Sequence, residues 1–236
     1  MIKVDEKVAV VTAAGKGIGA AIANELAGAG YRVSLLSNSG GALKLAEELG
    51  GIGMTGSVTD PLDLARLVDS TLDAFGQINA VVNNTGHPPK GELLEISDDD
   101  WHLGLDLLIL NVVRMARLVT PLFIRQGGGT IVNISTFSAF EPELDFPVSS
   151  SLRSGLASFT KLYANRYAEA GIRINNVLPG YMNNYPASAD TLAKIPMKRY
   201  AMVEEVAKTV RFLLSSDSGY ITGQNIRVDG GITHSI

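Results

Sequence analysis

A glycine-rich turn near the N-terminus has the composition of a phosphate-binding site. Gly15, Gly17 and Gly19 lie between an apolar, β-branched run and a stretch whose apolar and small residues recur at helical spacing. Glycines at a strand–helix junction let a pyrophosphate approach the backbone, and the helix N-terminus supplies free N–H groups and positive potential. The alternative is a tight turn without a ligand. In this context the turn favours a dinucleotide site.

A second group of polar side chains lies within residues 129–161. An apolar β-type run ends at Ser135 and Thr136, a loop follows, and a helix that begins near Ser149 carries Arg153. Polar groups at the carboxyl end of a strand line the ligand crevice of an open parallel sheet. This stretch therefore bears on what chemistry the protein performs.

Alternating strands and helices are predicted to position both groups. Strands are expected at 7–12, 32–37, 52–55, 78–83, 130–135, 172–178 and 225–228. Helices are expected at 17–29, 41–49, 61–75, 98–125, 149–170 and 203–214, with a mobile flap and a short helix within 181–200. Asp60 and Pro61 form a helix start, and Ser97 with three aspartates forms another. The pattern predicts an α/β fold: one Rossmann domain over residues 1–236, with a doubly wound parallel sheet of about seven strands covered by helices on both faces.

Composition excludes several function classes. The 236 residues carry a net charge of −4 without long charge runs, so neither nucleic acid nor a membrane surface is expected as a partner. There is no cysteine and there are only three histidines, so thiol chemistry is excluded and no metal site is expected. No signal peptide or apolar run of membrane length is evident, which predicts a soluble cytoplasmic protein.

Short motifs recur along nearly the whole chain. They are Thr12-Ala-Ala-Gly-Lys-Gly-Ile-Gly19, Asn83-Asn-Thr-Gly86, Trp101, Pro121, Ile131-Val-Asn-Ile-Ser135, Gly171-Ile-Arg-Ile-Asn175, Pro179-Gly180 and the Ile-Thr-Gly-Gln and Val-Asp-Gly-Gly segments within 221–231. Their order and spacing resemble the short-chain dehydrogenase/reductase family, and within it the 3-oxoacyl-carrier-protein reductase-like members. One departure is Ala13, which stands where the family has its first glycine.

The resemblance implies a nicotinamide dinucleotide cofactor. The implied contacts come from Thr12, Gly15, Lys16, Gly17, Ile18, Gly19, Ser37, Asn38, Ser57, Val58, Asn84, Thr85, Gly86, Arg153, Pro179, Gly180 and Met182. The position that would hold a ribose-binding carboxylate is Ser37, followed by Asn38, so a 2′-phosphate is not repelled. Lys16 resembles the basic residue of NADP-preferring members, and the expectation is NADP(H) rather than NAD(H). Ser57 replaces an aspartate near the adenine, and adenine recognition is expected to differ.

The resemblance also assigns four catalytic positions, and their residues differ from the family's asparagine, serine, tyrosine and lysine. By spacing these positions are Leu108, Thr136, Ser149 and Arg153, with Asn111 one helical turn from the first. Threonine keeps a hydroxyl, but leucine cannot hold a water and a serine hydroxyl is a much weaker acid than a phenol. Arginine keeps the positive charge without being a simple substitute for lysine. Asn184 replaces the threonine usually found near the carboxamide.

Other side chains could supply a proton in place of the tyrosine. His87 follows the Asn-Asn-Thr-Gly turn and has an unperturbed pKa near 6.5, which suits acid–base work. The further candidates are Lys90, Tyr181, Glu141 and Asp145. For each one the alternative is a surface or packing role.

Three functions remain open at this level. The first is an oxidoreductase with an atypical proton donor, acting on an unidentified small-molecule carbonyl or alcohol substrate. The second is a catalytically inert dinucleotide-binding protein, acting as a sensor or as a structural subunit of a mixed oligomer with an active paralogue. The third is a non-redox lyase or isomerase on the same scaffold. The resemblance also predicts a homodimer or homotetramer that pairs through the helices near 98–125 and 149–170.

Overall fold

The computed structural model describes residues 6–184 and 186–235. Its strands are β1 Val8–Val11, β2 Arg32–Ser37, β3 Ile52–Thr55, β4 Ala80–Asn83, β5 Gly129–Ile134, β6 Ile172–Pro179 and β7 Asn225–Val228. Its helices are α1 Gly17–Gly28, α2 Gly41–Glu48, α3 Pro61–Phe75, α4 Asp98–Leu105, α5 Asn111–Gln126, α6 Pro147–Tyr167, α7 Ala189–Lys194 and α8 Val203–Leu214. The alternation of strands and helices predicted from sequence is confirmed.

The seven strands form one parallel sheet in the order β3-β2-β1-β4-β5-β6-β7. The chain first adds strands on one side of β1 and then on the other, so the direction of winding reverses between β1 and β4. In open α/β sheets ligands bind in the crevice at this reversal, beyond the carboxyl ends of the strands. The glycine turn after β1 and the Asn-Asn-Thr-Gly turn after β4 both lie there.

Two apolar cores cover the two faces of the sheet. On one face the buried side chains include Ile22 of α1, Ala42 of α2 and Val210 of α8. On the other they include Leu67 of α3 and Phe123 of α5. Continuous burial of strand residues such as those of β1 is the pattern of a parallel sheet with both faces covered.

The predicted start of α3 is confirmed in detail. The Asp60 side chain accepts a hydrogen bond of 2.8 Å from the Leu62 backbone N–H, and Pro61 occupies the first helical position. Ser97 caps α4 in the same way by accepting from the Asp100 backbone N–H at 3.2 Å. Local capping hydrogen bonds from Asp60 and Ser97 therefore form the two helix starts that the sequence predicted.

The predicted helix over 98–125 is interrupted by a π-helical segment. Residues Asp106–Leu110 form this segment between α4 and α5, and Leu108 at its centre is 1% exposed. The Arg114 guanidinium lies 2.7 Å from the Asp106 carboxylate and also donates to the Thr59 carbonyl at 3.0 Å. π-Helical segments occur often at functional sites, and no periodic pattern of apolar residues in the sequence predicts them.

A ladder of asparagines crosses the sheet and was not predicted. Asn83, Asn133, Asn176 and Asn225 occupy paired register positions on β4, β5, β6 and β7. Their side chains form successive hydrogen bonds of 2.9, 2.9 and 2.8 Å. Thr160 of α6 donates to Asn176 at 2.9 Å and so ties that helix to the ladder. Buried amide groups need hydrogen-bond partners, and in this ladder the asparagine side chains bond to one another.

The expectation that no apolar run reaches membrane length is wrong, because one helix among the described residues meets the length and composition of a membrane span. It is the run Asp98–Gln126, of which half the apolar window is buried inside the fold. Its buried side chains, such as Met115 and Phe123, pack in the core that covers the sheet. The run is therefore a core helix of the domain.

Candidate cofactor and active site

The glycine turn closes tightly against β4 and β2. Asn84 donates its backbone N–H to the Thr12 hydroxyl at 2.9 Å, and that hydroxyl donates to the Asn84 carbonyl at 2.7 Å. A Cβ on Gly19 would lie 2.2 Å from the Ala13 carbonyl oxygen, so only glycine fits there. Thr12 and Asn84 thus fix the turn, and Gly19 lets the start of α1 approach it.

The N-terminus of α1 is available to a ligand. Its N-cap residue is Lys16, whose side chain makes no capping bond, and Gly17 and Ile18 follow it. Unpaired N–H groups at a helix start, with the positive end of the helix dipole, form an anion site. The side chain of Asn184 comes within 3.5 Å of the place where a Gly17 Cβ would stand. The turn fits a dinucleotide pyrophosphate, with Asn184 at its rim.

Ala13 holds the turn in a left-handed conformation. Its φ is +47°, a region that glycine adopts freely and other L-residues occupy only with strain. Ala13 therefore adopts a conformation that a glycine would adopt at lower cost.

The end of β2 lies directly against this turn. The Ser37 hydroxyl donates to the Ser39 carbonyl at 2.6 Å and accepts from the Ala42 N–H at 3.1 Å, at the start of α2. A Cβ on Gly15 would lie 2.9 Å from that hydroxyl. Exposed Lys16 follows Gly15, and exposed Asn38 follows Ser37. A hydroxyl, an amide and an ammonium thus lie together at the place that the resemblance assigns to the adenosine ribose.

Asp63 of α3 holds the loop at Ser57, which the resemblance places beside the adenine. Its carboxylate accepts the Ser57 backbone N–H at 2.7 Å, while the Ser57 hydroxyl pairs with that of Thr59 at 2.7 Å. Val58 is buried between them and the core. The Asp63 carboxylate thus fixes the backbone of this loop at Ser57.

Thr85 and Gly86 continue from β4 along the edge of the cleft. The Thr85 hydroxyl is buried and has no hydrogen-bond partner in the described part of the chain. A Cβ on Gly86 would meet nothing within 4 Å. The loop therefore leaves room for a ligand beside it.

On the flap side, Gly180 packs against β7, since a Cβ there would lie 2.8 Å from the Asp229 Cα. Pro179 ends β6, and Met182 is buried and paired to Ala201 by a backbone bridge. These residues close the end of the cleft that the resemblance assigns to the nicotinamide.

Ser149 and Arg153 lie one turn apart on α6, opposite the end of β5. Arg153 is 8% exposed, and its Nη1 donates to the Ile134 carbonyl at 2.6 Å. Burial lowers the pKa of its guanidinium to about 10, which leaves it charged at neutral pH. Thr136 is the second residue after β5, and its hydroxyl lies 3.5 Å from that of Ser138. Arg153 and Thr136 thus lie at the carboxyl end of β5, and Ser149 lies one turn before Arg153 on α6.

His87 and Lys90 lie in the loop after β4. Burial of the imidazole lowers the His87 pKa, and the positive charges of Lys90 and Arg153 lower it further. The Lys90 ammonium stands 4.4 Å from the centre of the Phe146 ring, at the residue before α6. At neutral pH His87 is therefore neutral and better suited to accept a proton than to donate one.

Tyr181 belongs to an aromatic group on the other side of the loop. Its ring lies 5.7 Å from Phe137 and 5.6 Å from Tyr200, and its hydroxyl donates to Glu143 at 3.2 Å. Burial and the neighbouring Glu143 carboxylate raise the Tyr181 pKa to about 12. Burial also raises the pKa of Glu143. Tyr181 is a poor proton donor in this setting, and no sequence motif pointed to its partner, the Glu143 carboxyl group.

The remaining acidic candidates are engaged elsewhere or exposed. Glu141 accepts the Ser235 backbone N–H at 2.6 Å, and this bond is the main reason that its pKa is lowered. Asp145 is exposed on the same loop. Glu141 ties the C-terminal residues to the loop between β5 and α6.

Comparison with known proteins gives matches along the whole fold. A family model described as Enoyl-(Acyl carrier protein) reductase matches residues 12–233. A 3-oxoacyl-(acyl-carrier-protein) reductase of Synechocystis sp. is 33% identical over 98% of this chain and 99% of its own length. The corresponding Escherichia coli reductase is 30% identical over 96% and 97%. Dehydrogenase/reductase SDR family member 4 of Caenorhabditis elegans is 33% identical over 96% and 95%.

Proposed function

This chain belongs to the short-chain dehydrogenase/reductase family, and we propose that it is an NADP(H)-binding oxidoreductase whose proton transfer does not use the family's tyrosine. Its relation to 3-oxoacyl-(acyl-carrier-protein) reductases favours a carbonyl or alcohol as the small-molecule substrate. The observation that carries the proposal is the pair on α6, where Ser149 and Arg153 stand at the tyrosine and lysine spacing.

The choice of NADP(H) rests on the edge of the cleft beside β2. A ribose-binding carboxylate at Ser37 would repel a 2′-phosphate, and the hydroxyl there does not. Exposed Lys16 and the amide of Asn38 border the same place. A cation and neutral donors next to the ribose favour the phosphorylated cofactor.

In the proposed reaction the nicotinamide supplies the hydride chemistry. Thr136 donates a hydrogen bond that orients the substrate oxygen. Arg153 holds the ribose hydroxyls from its fixed position on the Ile134 carbonyl. Ser149 contributes at most a hydrogen bond, because its hydroxyl is a weak acid and its side chain is short. The proton then comes from water or from a group on the substrate.

A catalytically inert, dinucleotide-binding protein is the second candidate. Leu108 buries an apolar side chain at the position of the family's asparagine, and Tyr181 with a pKa of about 12 is a poor replacement donor. Such a protein would act as a sensor or as the structural subunit of an oligomer with an active paralogue. A lyase or isomerase reaction without redox chemistry is the weaker third candidate.

The oligomer proposed here is a dimer or tetramer formed through α4, α5 and α6. Ile124 and Leu162 leave 51% and 69% of their side chains exposed on these helices. Apolar side chains exposed on long helices favour association. Nucleic acid and membranes are not proposed as partners, and the cytoplasm is the proposed compartment.

Turnover of a panel of ketones, 3-oxoesters and 3-oxoacyl thioesters tests the proposal, with NADPH and NADH as alternatives. We expect slow NADPH-dependent reduction of activated carbonyls that survives Ser149→Ala. Loss of all turnover in Ser149→Ala would show that the serine itself transfers the proton. Loss in His87→Ala alone would identify the histidine as the missing group. NADPH binding with no turnover on any substrate would favour the inert candidate.

A further inference from the structure

Three segments of the chain follow the carboxyl ends of three adjacent strands. They are the loop 135–146 after β5, the flap within 181–200 after β6, and residues 229–235 after β7, which form the C-terminal strap. Because β5, β6 and β7 are parallel neighbours, the three segments leave the sheet at the same edge. Ligands of open α/β sheets bind at this edge. The way in which the three segments are joined therefore bears on access to the crevice.

The end of the C-terminal strap is bonded to the loop after β5. The Glu141 carboxylate accepts the backbone N–H groups of His234 and Ser235, the latter at 2.6 Å. Arg227 of β7 donates to the Ser235 carbonyl and, at 3.0 Å, to the Ser235 hydroxyl. The Arg227 guanidinium also stands 6.0 Å from the centre of the Phe140 ring on the loop. A carboxylate and a guanidinium from two separate elements thus anchor the same end of the strap.

The start of the C-terminal strap is bonded to the flap. The Gly230 carbonyl accepts the backbone N–H of Met197 at 3.2 Å. Ile232 is buried in a small apolar cluster with Ile195 of the flap and Phe137 of the loop. Ile232 is therefore the point at which the loop, the flap and the strap meet.

Hydrogen bonds within the C-terminal strap give it a fixed shape. The Asp229 carboxylate accepts the backbone N–H groups of Gly231 at 2.9 Å and of Thr233 at 3.2 Å, and it also accepts the Thr233 hydroxyl. Gly230 and Gly231 have φ values of +65° and +84°, in the left-handed region that glycine adopts without strain. A turn that is bonded internally moves as one unit. A displacement of its end on the loop is therefore carried to its start on the flap.

We propose that the C-terminal strap couples the loop after β5 to the flap, so that the two segments open and close together over the crevice. Glu141 and Arg227 are the two anchors that hold the strap in the closed arrangement. Segments that close over a crevice exclude water and must open to release a product. The coupling is a property of the protein without a ligand, so it is independent of the proposed cofactor and reaction.

Hydrogen exchange of the backbone amides, measured by mass spectrometry on the full chain without a ligand, tests the coupling. Glu141→Ala should accelerate exchange about tenfold both in the loop 135–146 and in the flap within 181–200, because it removes two charge-assisted bonds to the strap. Arg227→Met should accelerate exchange in the same two segments, because it releases the strap from its other anchor. Asp145→Ala is the matched control, since it removes an exposed carboxylate from the same loop and should change exchange in neither segment.

A direct contact also joins the loop to the flap, because the Tyr181 hydroxyl donates to Glu143 at 3.2 Å. Glu141→Ala is therefore repeated in the Tyr181→Phe background, where the faster exchange of the flap should persist. Loss of the effect on the flap in that background would overturn the coupling through the strap. Faster exchange in the loop alone would overturn it as well, because Glu141 would then brace only its own loop.

Glu141→Gln guards against a folding defect in Glu141→Ala, because it keeps the size of the side chain and one acceptor oxygen. It should accelerate exchange by a smaller factor, again in both the loop and the flap. Exchange in β1, at the centre of the sheet, is the internal reference and should keep its wild-type rate. Acceleration of Glu141→Gln that extends to β1, or no acceleration in either Glu141 variant, would contradict the proposal.

Discussion

Rebuilding the family's acid at position 149 tests how complete the rest of the site is. The double variant Ser149→Tyr with Arg153→Lys places a phenol and an ammonium one helical turn apart on α6. Ser149 is only partly buried, so its position offers space for a larger side chain. The ammonium near the phenol would lower a tyrosine pKa from its usual value of about 10.

The expected gain in rate follows from the rate enhancement that a positioned general acid contributes to such reactions. General acid catalysis supplies about 10²–10⁴-fold. Leu108 remains at the asparagine position, buried in the π-helical segment, and offers no group to hold a water. The gain should therefore lie near the lower end, about 10²-fold in kcat/KM, which corresponds to about 2.7 kcal/mol of barrier.

The assay follows NADPH absorbance with a 3-oxoacyl thioester, the substrate class in the names of the related reductases. Ser149→Phe with Arg153→Lys is the matched control, because it adds the ring without the hydroxyl. The gain should be confined to the tyrosine variant, and NADPH affinity should change little. Equal rates in the tyrosine and phenylalanine variants, with both folded and binding NADPH, would refute the view that the remaining site is intact.

Three further predictions follow from single sites. Ser37→Asp should weaken NADPH binding about tenfold or more and leave NADH binding unchanged, because a carboxylate repels the 2′-phosphate. Fluorescence titration measures the affinity for each cofactor, and an unchanged ratio of the two affinities would contradict the prediction. Ala13→Gly should raise the free energy of unfolding by about 0.5–1 kcal/mol, since relief of the left-handed strain exceeds the entropy cost of glycine. Urea unfolding measures this change, and the control variant Ala14→Gly should lower the free energy of unfolding. The Arg199 guanidinium lowers the Glu205 pKa to about 2, so this pair stabilises fully above pH 4.5 and loses its contribution as the pH falls toward 2. Acid unfolding of Glu205→Gln should show a weaker dependence on pH in that window, and an unchanged slope would speak against the pairing.

Most of the fold could be predicted because its signals are local. The bounds of α3, α8, β2, β3 and β7 match the predicted ranges, where caps, glycines and buried β-branched runs set the ends. The strand order agrees with a doubly wound sheet, since right-handed crossovers leave few alternatives.

Features that depend on packing between distant segments could not be predicted. The asparagine ladder needs the register of four strands, and Asn133 at its centre was noted only as part of a motif. The commitment of Tyr181 to Glu143 depends on how the loop after β5 folds against the flap. α6 begins at Pro147 rather than at 149, although a proline at a helix start was a readable signal.

The central claim is an intact NADP(H) site beside a site without the family's proton donor. Parallel calorimetric titrations of the wild-type chain with NADPH and NADH test the proposed cofactor site most directly, because the proposal places both cofactors against Gly19, Ser37 and Lys16. The account predicts saturable binding of NADPH at one site per chain, tighter than that of NADH. Binding of neither cofactor would contradict it, and tighter binding of NADH would contradict the assignment of the β2 edge.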